Sequence, residues 1–241
     1  MLEITRVYKT YDNVKKALID VSLSVKAGDL YGFIGHNGAG KTTLLKSIAG
    51  VLAFDKGEIL VDGRSVVDEP LRVKHDIAYI PDNPNVYESM TGNQYVDFIA
   101  NIYGIDPDAR RQRIGEYATM FEISDVLHDT IASYSRGMKQ KLVITGALIR
   151  EPKLLMLDEP FVGLDPKASF LLKQVFDKLR ARGTAIFFST HVLDVAEKLC
   201  NRIAIIKHGQ IVAAGTTKEV IKDTSLEGVF MELLDNHERL S

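Results

Sequence analysis

One cysteine, Cys200, is all the thiol that 241 residues provide, so an internal disulfide framework is excluded and a reducing compartment fits. Positive charge is not in excess. Thirty Lys and Arg stand against 32 Asp and Glu, a formal net charge of −2, which leaves no electrostatic footprint for nucleic acid. The dense basic run Arg110-Arg111-Gln112-Arg113 reads as a solvated helix face. Long apolar runs are missing too, none approaching the ~20 residues that span a bilayer. The opening MLEITRVYKT carries charges at Glu3 and Arg6 and has no apolar core of the kind a signal peptide needs. Internal repeats and low-complexity segments are also lacking. Together these absences predict a cytosolic protein that would serve a membrane only through partners.

The composition is otherwise ordinary, 46% hydrophobic and 26% charged, and the chain is long enough for a sizeable core. Residues 2–34 alternate as strands do, in LEITRVY, LIDVSLSV and LYGFIG; GEILVDG (57–63) and DIAYIPDNPN (76–85) continue the pattern until Pro81 and Pro84 close it. From residue 90 the period becomes helical. Thr91 and Gln94 form a capping box, with Tyr95, Phe98, Ile99 and Ile102 on one face. Gly104 ends that helix, and Asp106-Pro107 starts another with Ile114, Ala118 and Phe121 inward. A third runs from about Gly137 to Arg150. Strands return at 154–158, 183–190, 201–207 and 210–215, with a helix over 167–181. Continuous apolar strands alternating with helices predict a parallel sheet covered on both faces. The tail 221–241 is acidic and amphipathic through Leu226, Val229, Phe230, Leu233 and Leu234, a helix that either docks on its own chain or binds a partner. Cys200, within VAEKLCNRIAII, is expected to be a buried packing residue.

Two stretches carry chemistry. GHNGAGKTT (35–43) matches G-x-x-x-x-G-K-[ST] between an apolar strand and a helix start. The loop Gly35, Asn37, Gly38, Ala39, Gly40 would present backbone N–H groups to phosphate oxygens at the positive end of the helix. Lys41 would reach the terminal phosphates, the Thr42 hydroxyl would ligate Mg²⁺, and Thr43 adjoins them; His36 is given no role. LLMLDEP (154–160) ends a buried strand in two carboxylates. Alternation along a strand would send Asp158 toward a metal and Glu159 toward a water beside the γ-phosphate.

In this setting the chain resembles the nucleotide-binding subunit of an ABC transporter over residues 1 to about 220. ASYSRGMKQK stands at the place of the family signature, with Ser135 23 residues before Asp158; VGLDP (162–166) resembles the D-loop; STH (189–191) supplies a switch histidine, His191; and Tyr11 matches the aromatic on which adenine stacks. The fold this implies is α/β: a P-loop NTPase core with a mostly parallel sheet, an N-terminal antiparallel β part and an inserted helical subdomain. Residues 1–84 and 151–220 would make the ATP-binding core, 85–150 the helical signature subdomain, and 221–241 the tail. The resemblance implies ATP and Mg²⁺, a head-to-tail homodimer or heterodimer with a related ATPase, and integral-membrane transporter subunits as partners, the chain sitting on the inner face of the cell membrane. Ser135 and the Gly137 N–H would contact the γ-phosphate held by the partner chain, Asp165 would couple the two sites across the interface, and His191 would touch the γ-phosphate of its own site. The membrane partner would dock near Asp82–Met90, with Val86, Tyr87 and Met90 as apolar candidates.

Two positions depart from the commonest family pattern. The signature reads Ser-Arg-Gly-Met, with Arg136 where glycine is usual, and Asp82 replaces the glutamine after YIP. Asp82 would act through water near Mg²⁺, as catalytic or metal partner, or only as a hinge beside Pro81 and Pro84. Both departures resemble a subset of bacterial exporter ATPases, so export is expected ahead of import. The rival readings are an importer ATPase, a soluble ABC-type ATPase of cluster assembly, and a nucleotide switch without hydrolysis, which would have no need of Glu159.

Overall fold

The computed structural model describes residues 1–12, 14–222 and 224–238, with 234–238 by backbone alone. The expectations for Leu234 and for the charges at Asp223, Asp235, Glu238 and Arg239 therefore fall outside the described side chains. In chain order the first half contains β1 (Leu2–Tyr11), β2 (Lys15–Val25), β3 (Leu30–Ile34), α1 (Lys41–Ile48), β4 (Lys56–Val61), β5 (Arg64–Ser65), α2 (Pro70–Asp76), β6 (Ile77–Ile80) and α3 (Gly92–Ile102). The second half contains α4 (Pro107–Met120), α5 (Arg136–Leu148), β7 (Leu154–Asp158), α6 (Pro166–Ala181), β8 (Ala185–Thr190), α7 (Leu193–Leu199), β9 (Arg202–Lys207), β10 (Gln210–Thr216), α8 (Thr217–Ile221) and α9 (Leu226–Glu238).

Two sheets result. The first is antiparallel in the order β2-β1-β4-β5, and the second runs β10-β9-β3-β8-β7-β6, parallel except for its edge strand β10. The central strands β3, β7 and β8 are buried along their whole length, which is why they read as unbroken apolar runs. Alternation splits them between two cores. Tyr31, Phe33, Met156 and Phe187 pack with α1 and the antiparallel sheet. Ile34, Leu155, Leu157, Ile186 and Phe188 pack with α5, α6 and α7 on the other face. Gly32 lets α7 approach β3, because a Cβ there would lie 2.8 Å from the Cys200 sulfur. Cys200 is buried, as expected, and burial pushes its thiol well above the ordinary range.

Between β6 and β7 the chain makes α3, α4 and α5. The capping box at Thr91 forms, with the Thr91 hydroxyl accepting from Gln94 N–H and the Gln94 side chain accepting from Thr91 N–H. Ala118 and Phe121 are buried and Ile114 is half-buried, as the periodicity predicts. The inward face of α3 is different from the one expected. Val96 and Ala100 are fully buried, Tyr95 and Ile99 half-buried, but Phe98 and Ile102 are 37% and 59% exposed. The contact with α5 sets the inward side: a Cβ at Gly146 would come 3.1 Å from the Tyr95 ring and 3.6 Å from Ile99, so these two lie on α5 and the neighbouring stripe of Val96 and Ala100 is the one fully buried. In α9, Leu226 is buried and Val229, Phe230 and Leu233 lie against the same core, docking this helix on its own chain.

Three short helices have no counterpart in the sequence reading: α2, α7 and α8. Each has 7 residues or fewer, too short for a helical period to register.

Candidate functional site

Parallel register aligns the carboxyl ends of β3, β7 and β8. Ile34 pairs with Thr190, and Asp158 with Ser189. Ligands of open α/β sheets bind at that edge, and here it carries the loop 35–40, the Asp158-Glu159 pair and His191.

The loop is shaped by two glycines for different reasons. Gly35 has no room for a side chain, since a Cβ would sit 2.6 Å from the Ile206 carbonyl oxygen. Gly40 has φ +116°, a conformation side chains rarely adopt, and a Cβ there would collide with the Ala17 carbonyl. Gly40 is also the N-cap of α1 and offers no side chain to satisfy the first-turn amides, which remain available to an anion.

Lys41 is buried, and its Nζ donates to the carbonyls of Gly35 (2.6 Å) and His36 (3.3 Å) while lying 3.2 Å from Glu159 Oε1. Glu159 Oε1 is buried without a hydrogen bond and is met by this ion pair. Glu159 Oε2 accepts from the His191 backbone N–H at 3.3 Å and lies 3.0 Å from His191 Nδ1. The Thr42 hydroxyl donates to Asp158 Oδ2 at 2.6 Å, and the Ser189 hydroxyl donates to Asp158 Oδ1. Tyr11 reaches the same place from β1, its hydroxyl 3.4 Å from Thr43 Oγ1.

Asp158 and Glu159 do point apart, but strand alternation is not the cause. β7 ends at Asp158, and Glu159 follows with φ +51°, a left-handed turn anchored by its N–H to the Ser189 carbonyl (3.1 Å) and hydroxyl oxygen (3.2 Å). Such a conformation costs roughly 1–3 kcal/mol, and strain of this kind concentrates at functional sites.

A cavity of about 350 Å³ is lined by Tyr11, Lys15, Ala17, Asn37, Gly38, Gly40, Lys41, Thr42, Thr43, Asp82, Asp158 and Glu159. It gathers residues as far apart in the chain as Tyr11 and Glu159 into one cradle, with an aromatic among its walls. Asp82 belongs to this wall, yet its carboxylate pairs with Arg136 at 3.5 Å. Ser135, Gly137 and Asp165 are not among the residues lining it. The Ser135 oxygen accepts from Met138 N–H (3.2 Å) as N-cap of α5, and Asp165 caps α6 through Ala168 N–H (2.7 Å). Sequence reasoning missed Lys15, Ala17 and Ser189, and also Gln140, whose buried amide donates to the Pro160 carbonyl at 2.9 Å. For Ser189 a signal was present, because a hydroxyl one residue before Thr190-His191 closes a strand parallel to the one bearing Asp158.

The fold and this cradle define a nucleoside-triphosphate-binding α/β protein. The ABC transporter family model matches residues 18–162, and the chain belongs to that family as the ATP-binding subunit of a transporter, an ATPase. Among relatives, an uncharacterised ABC transporter ATP-binding protein of Bacillus subtilis, YthP, is 38% identical over 98% of this chain and 94% of its own length. Among solved structures, an ATP-binding subunit of an ABC transporter superposes with a TM-score of 0.93 at 33% identity, covering 97% of this chain and 99% of that one. The dimeric structure of a bacterial ABC transporter cassette, MJ0796, gives 0.83 at 25% identity over 90% and 99%. Among the described residues no helix is long and apolar enough to cross a membrane.

Proposed function

We propose that this ATPase dimerises on ATP and powers export through separate integral-membrane subunits. The observation that carries the reading is the division of labour in one chain. Lys41, Thr42, Asp158, Glu159 and Tyr11 converge on one cavity, while Ser135 and Gly137 are not among the residues lining it. That Ser135 and Gly137 do not line their own chain's cavity is consistent with service to a second copy's nucleotide, and the MJ0796 cassette has a dimeric structure.

In this reading Tyr11 stacks on adenine, and the amides of 37–42 with Lys41 hold the phosphates. Thr42 and Asp158 suit Mg²⁺, because a hydroxyl and a carboxylate oxygen already 2.6 Å apart are hard ligands of the kind it takes alongside phosphate oxygens and water. No cluster of three or more His, Cys, Asp or Glu able to hold a metal occurs among the described residues, so the nucleotide would supply the remaining coordination. When bound, the ion would supply charge neutralisation at the β- and γ-phosphates. Glu159 orients the attacking water and takes its proton, while His191 fixes the carboxylate and contacts the γ-phosphate. An incoming γ-phosphate competes with Glu159 for Lys41, and this exchange frees Oε1 for the water. Asp165 lies across the dimer interface.

The helices of 85–150 form the signature subdomain, 1–84 and 151–220 the core, and 221–241 a tail seated on the core. The chain works on the cytoplasmic face of the membrane. Its membrane partner docks around Asp82–Met90. Of the apolar candidates there, Tyr87 is 59% exposed and stands edge-on to Phe98 at 5.9 Å, whereas Val86 and Met90 pack inward. Tyr87 and Phe98 therefore make the contact.

Purification of the tagged chain from its own membranes tests the reading. A stoichiometric polytopic partner and ATP-dependent export from vesicles are expected. Uptake in the same vesicles would assign import, and soluble partners alone would remove the transport role and leave the ATPase.

A further inference from the structure

The two departures noted in the sequence, Arg136 and Asp82, meet in space. Arg136 is the first residue of α5, and its guanidinium lies 3.5 Å from Asp82 Oδ1 on the loop after β6. It also rests on the turn that follows Glu159, since a Cβ on Gly163 would come 3.3 Å from Arg136 Nε and 3.5 Å from Cζ. One side chain thus bridges the start of α5, the loop after β6 and the turn 161–164.

Neither helix nor fold stability accounts for this cation. Positive charge in the first turn of a helix opposes the macrodipole. The pair's side chains are 61% and 51% exposed, and ion pairs so placed add little to folding. What the pair changes is the charge of the cavity. The wall holds Lys15 and Lys41 against Asp82, Asp158 and Glu159, one anion in excess in a site that must accept a polyanion. Asp158 and Glu159 are held by Thr42, Ser189, Lys41 and His191, while Asp82 pairs with Arg136.

We infer that Arg136 is a positioning residue for the phosphate end of this cavity: it neutralises Asp82 and holds it off the nucleotide, so that ATP enters without facing an uncompensated third carboxylate. The inference rests on the assignment of the cavity to ATP, and it makes the cavity's charge depend on where α5 sits. It also gives a physical reason for both departures at once, because a carboxylate at 82 is tolerable beside an arginine at 136.

The test is affinity for MgATP and for ADP, read by direct binding on the full chain, with KM and kcat alongside. Arg136→Gln is expected to weaken ATP binding about fivefold and ADP binding less, because ADP lacks the phosphate nearest the carboxylates, with KM rising more than kcat falls. Arg136→Lys should keep most of the affinity. Adding Asp82→Asn to Arg136→Gln should restore ATP affinity to within about twofold of the parent. High salt should shrink the defect. Equal losses for ATP and ADP, or no restoration by Asp82→Asn, would overturn the inference and leave Arg136 as a prop for the turn at Gly163. Thermal melts guard against misfolding, and Arg136→Ala provides a second truncation. An unmutated chain that binds no ATP would instead sink the assignment of the cavity.

Discussion

Gly137 separates a demand of function from a demand of fold. It sits in the first turn of α5, its φ is not positive, and a Cβ built there meets nothing within 4 Å. Nothing in the monomer therefore requires glycine, and glycine in a helix is a net cost of roughly 0.5–1 kcal/mol relative to alanine. Gly137→Ala should stabilise the isolated chain by up to about that amount. For a domain of this size that is a rise of roughly 1–4 °C in Tm. If the Gly137 N–H faces the γ-phosphate held by a second subunit, the same methyl intrudes where two surfaces and an anion meet. Alanine keeps the N–H but its methyl would push that donor off the anion, and complete loss of one preorganised donor of this kind costs ~10²-fold or more in rate. The expected result is opposite signs: a chain slightly more stable to heat and urea, binding ATP as a monomer with unchanged affinity, and hydrolysing it at least tenfold more slowly with dimerisation impaired. Normal turnover in a stabilised Gly137→Ala would refute the trans role. Loss of stability would show that the open space at the Cβ is not open in solution.

Glu159→Gln should retain ATP binding, lower turnover ~10²-fold or more and trap a dimer on size-exclusion chromatography with ATP; near-normal hydrolysis would remove Glu159 from the chemistry. Tyr11→Ala should raise the KM for ATP with little change in GTP discrimination, and a large change in base preference would mean that Tyr11 reads the base. Cys200, buried with its thiol pushed up, should resist maleimides in the native chain and react once urea unfolds it. Alkaline stability should depend on the buried tyrosines, with Tyr79 pushed up furthest and Tyr31 and Tyr95 held by burial at about 12 against about 10 when unfolded. Because their folded values are raised, this contribution is complete below pH 10 and is lost as pH climbs through 12. Tyr31→Phe and Tyr95→Phe should flatten that loss in urea melts, and an unchanged slope would contradict it.

What the sequence by itself determined is whatever is local or periodic. The phosphate loop is legible because backbone curvature, a lysine and a hydroxyl must fall within nine consecutive residues. β3, β7 and β8 are legible because strands buried on both faces are unbroken apolar runs, and the start of α3 because a capping box is four residues long. The tertiary structure decided everything that depends on which elements meet. Periodicity marked Phe98 and Ile102 as inward, but α3 lies on Gly146 through Tyr95 and Ile99, which turns Val96 and Ala100 into the core and leaves Phe98 and Ile102 outside. It foresaw that Asp158 and Glu159 diverge, but a left-handed turn at Glu159 does it, anchored by a strand thirty residues on. The pairing of Lys41 with Glu159 and of Arg136 with Asp82 joins residues 118 and 54 positions apart. No spacing in a one-dimensional string encodes such contacts, because they are fixed by strand order and helix packing, which are properties of the whole chain.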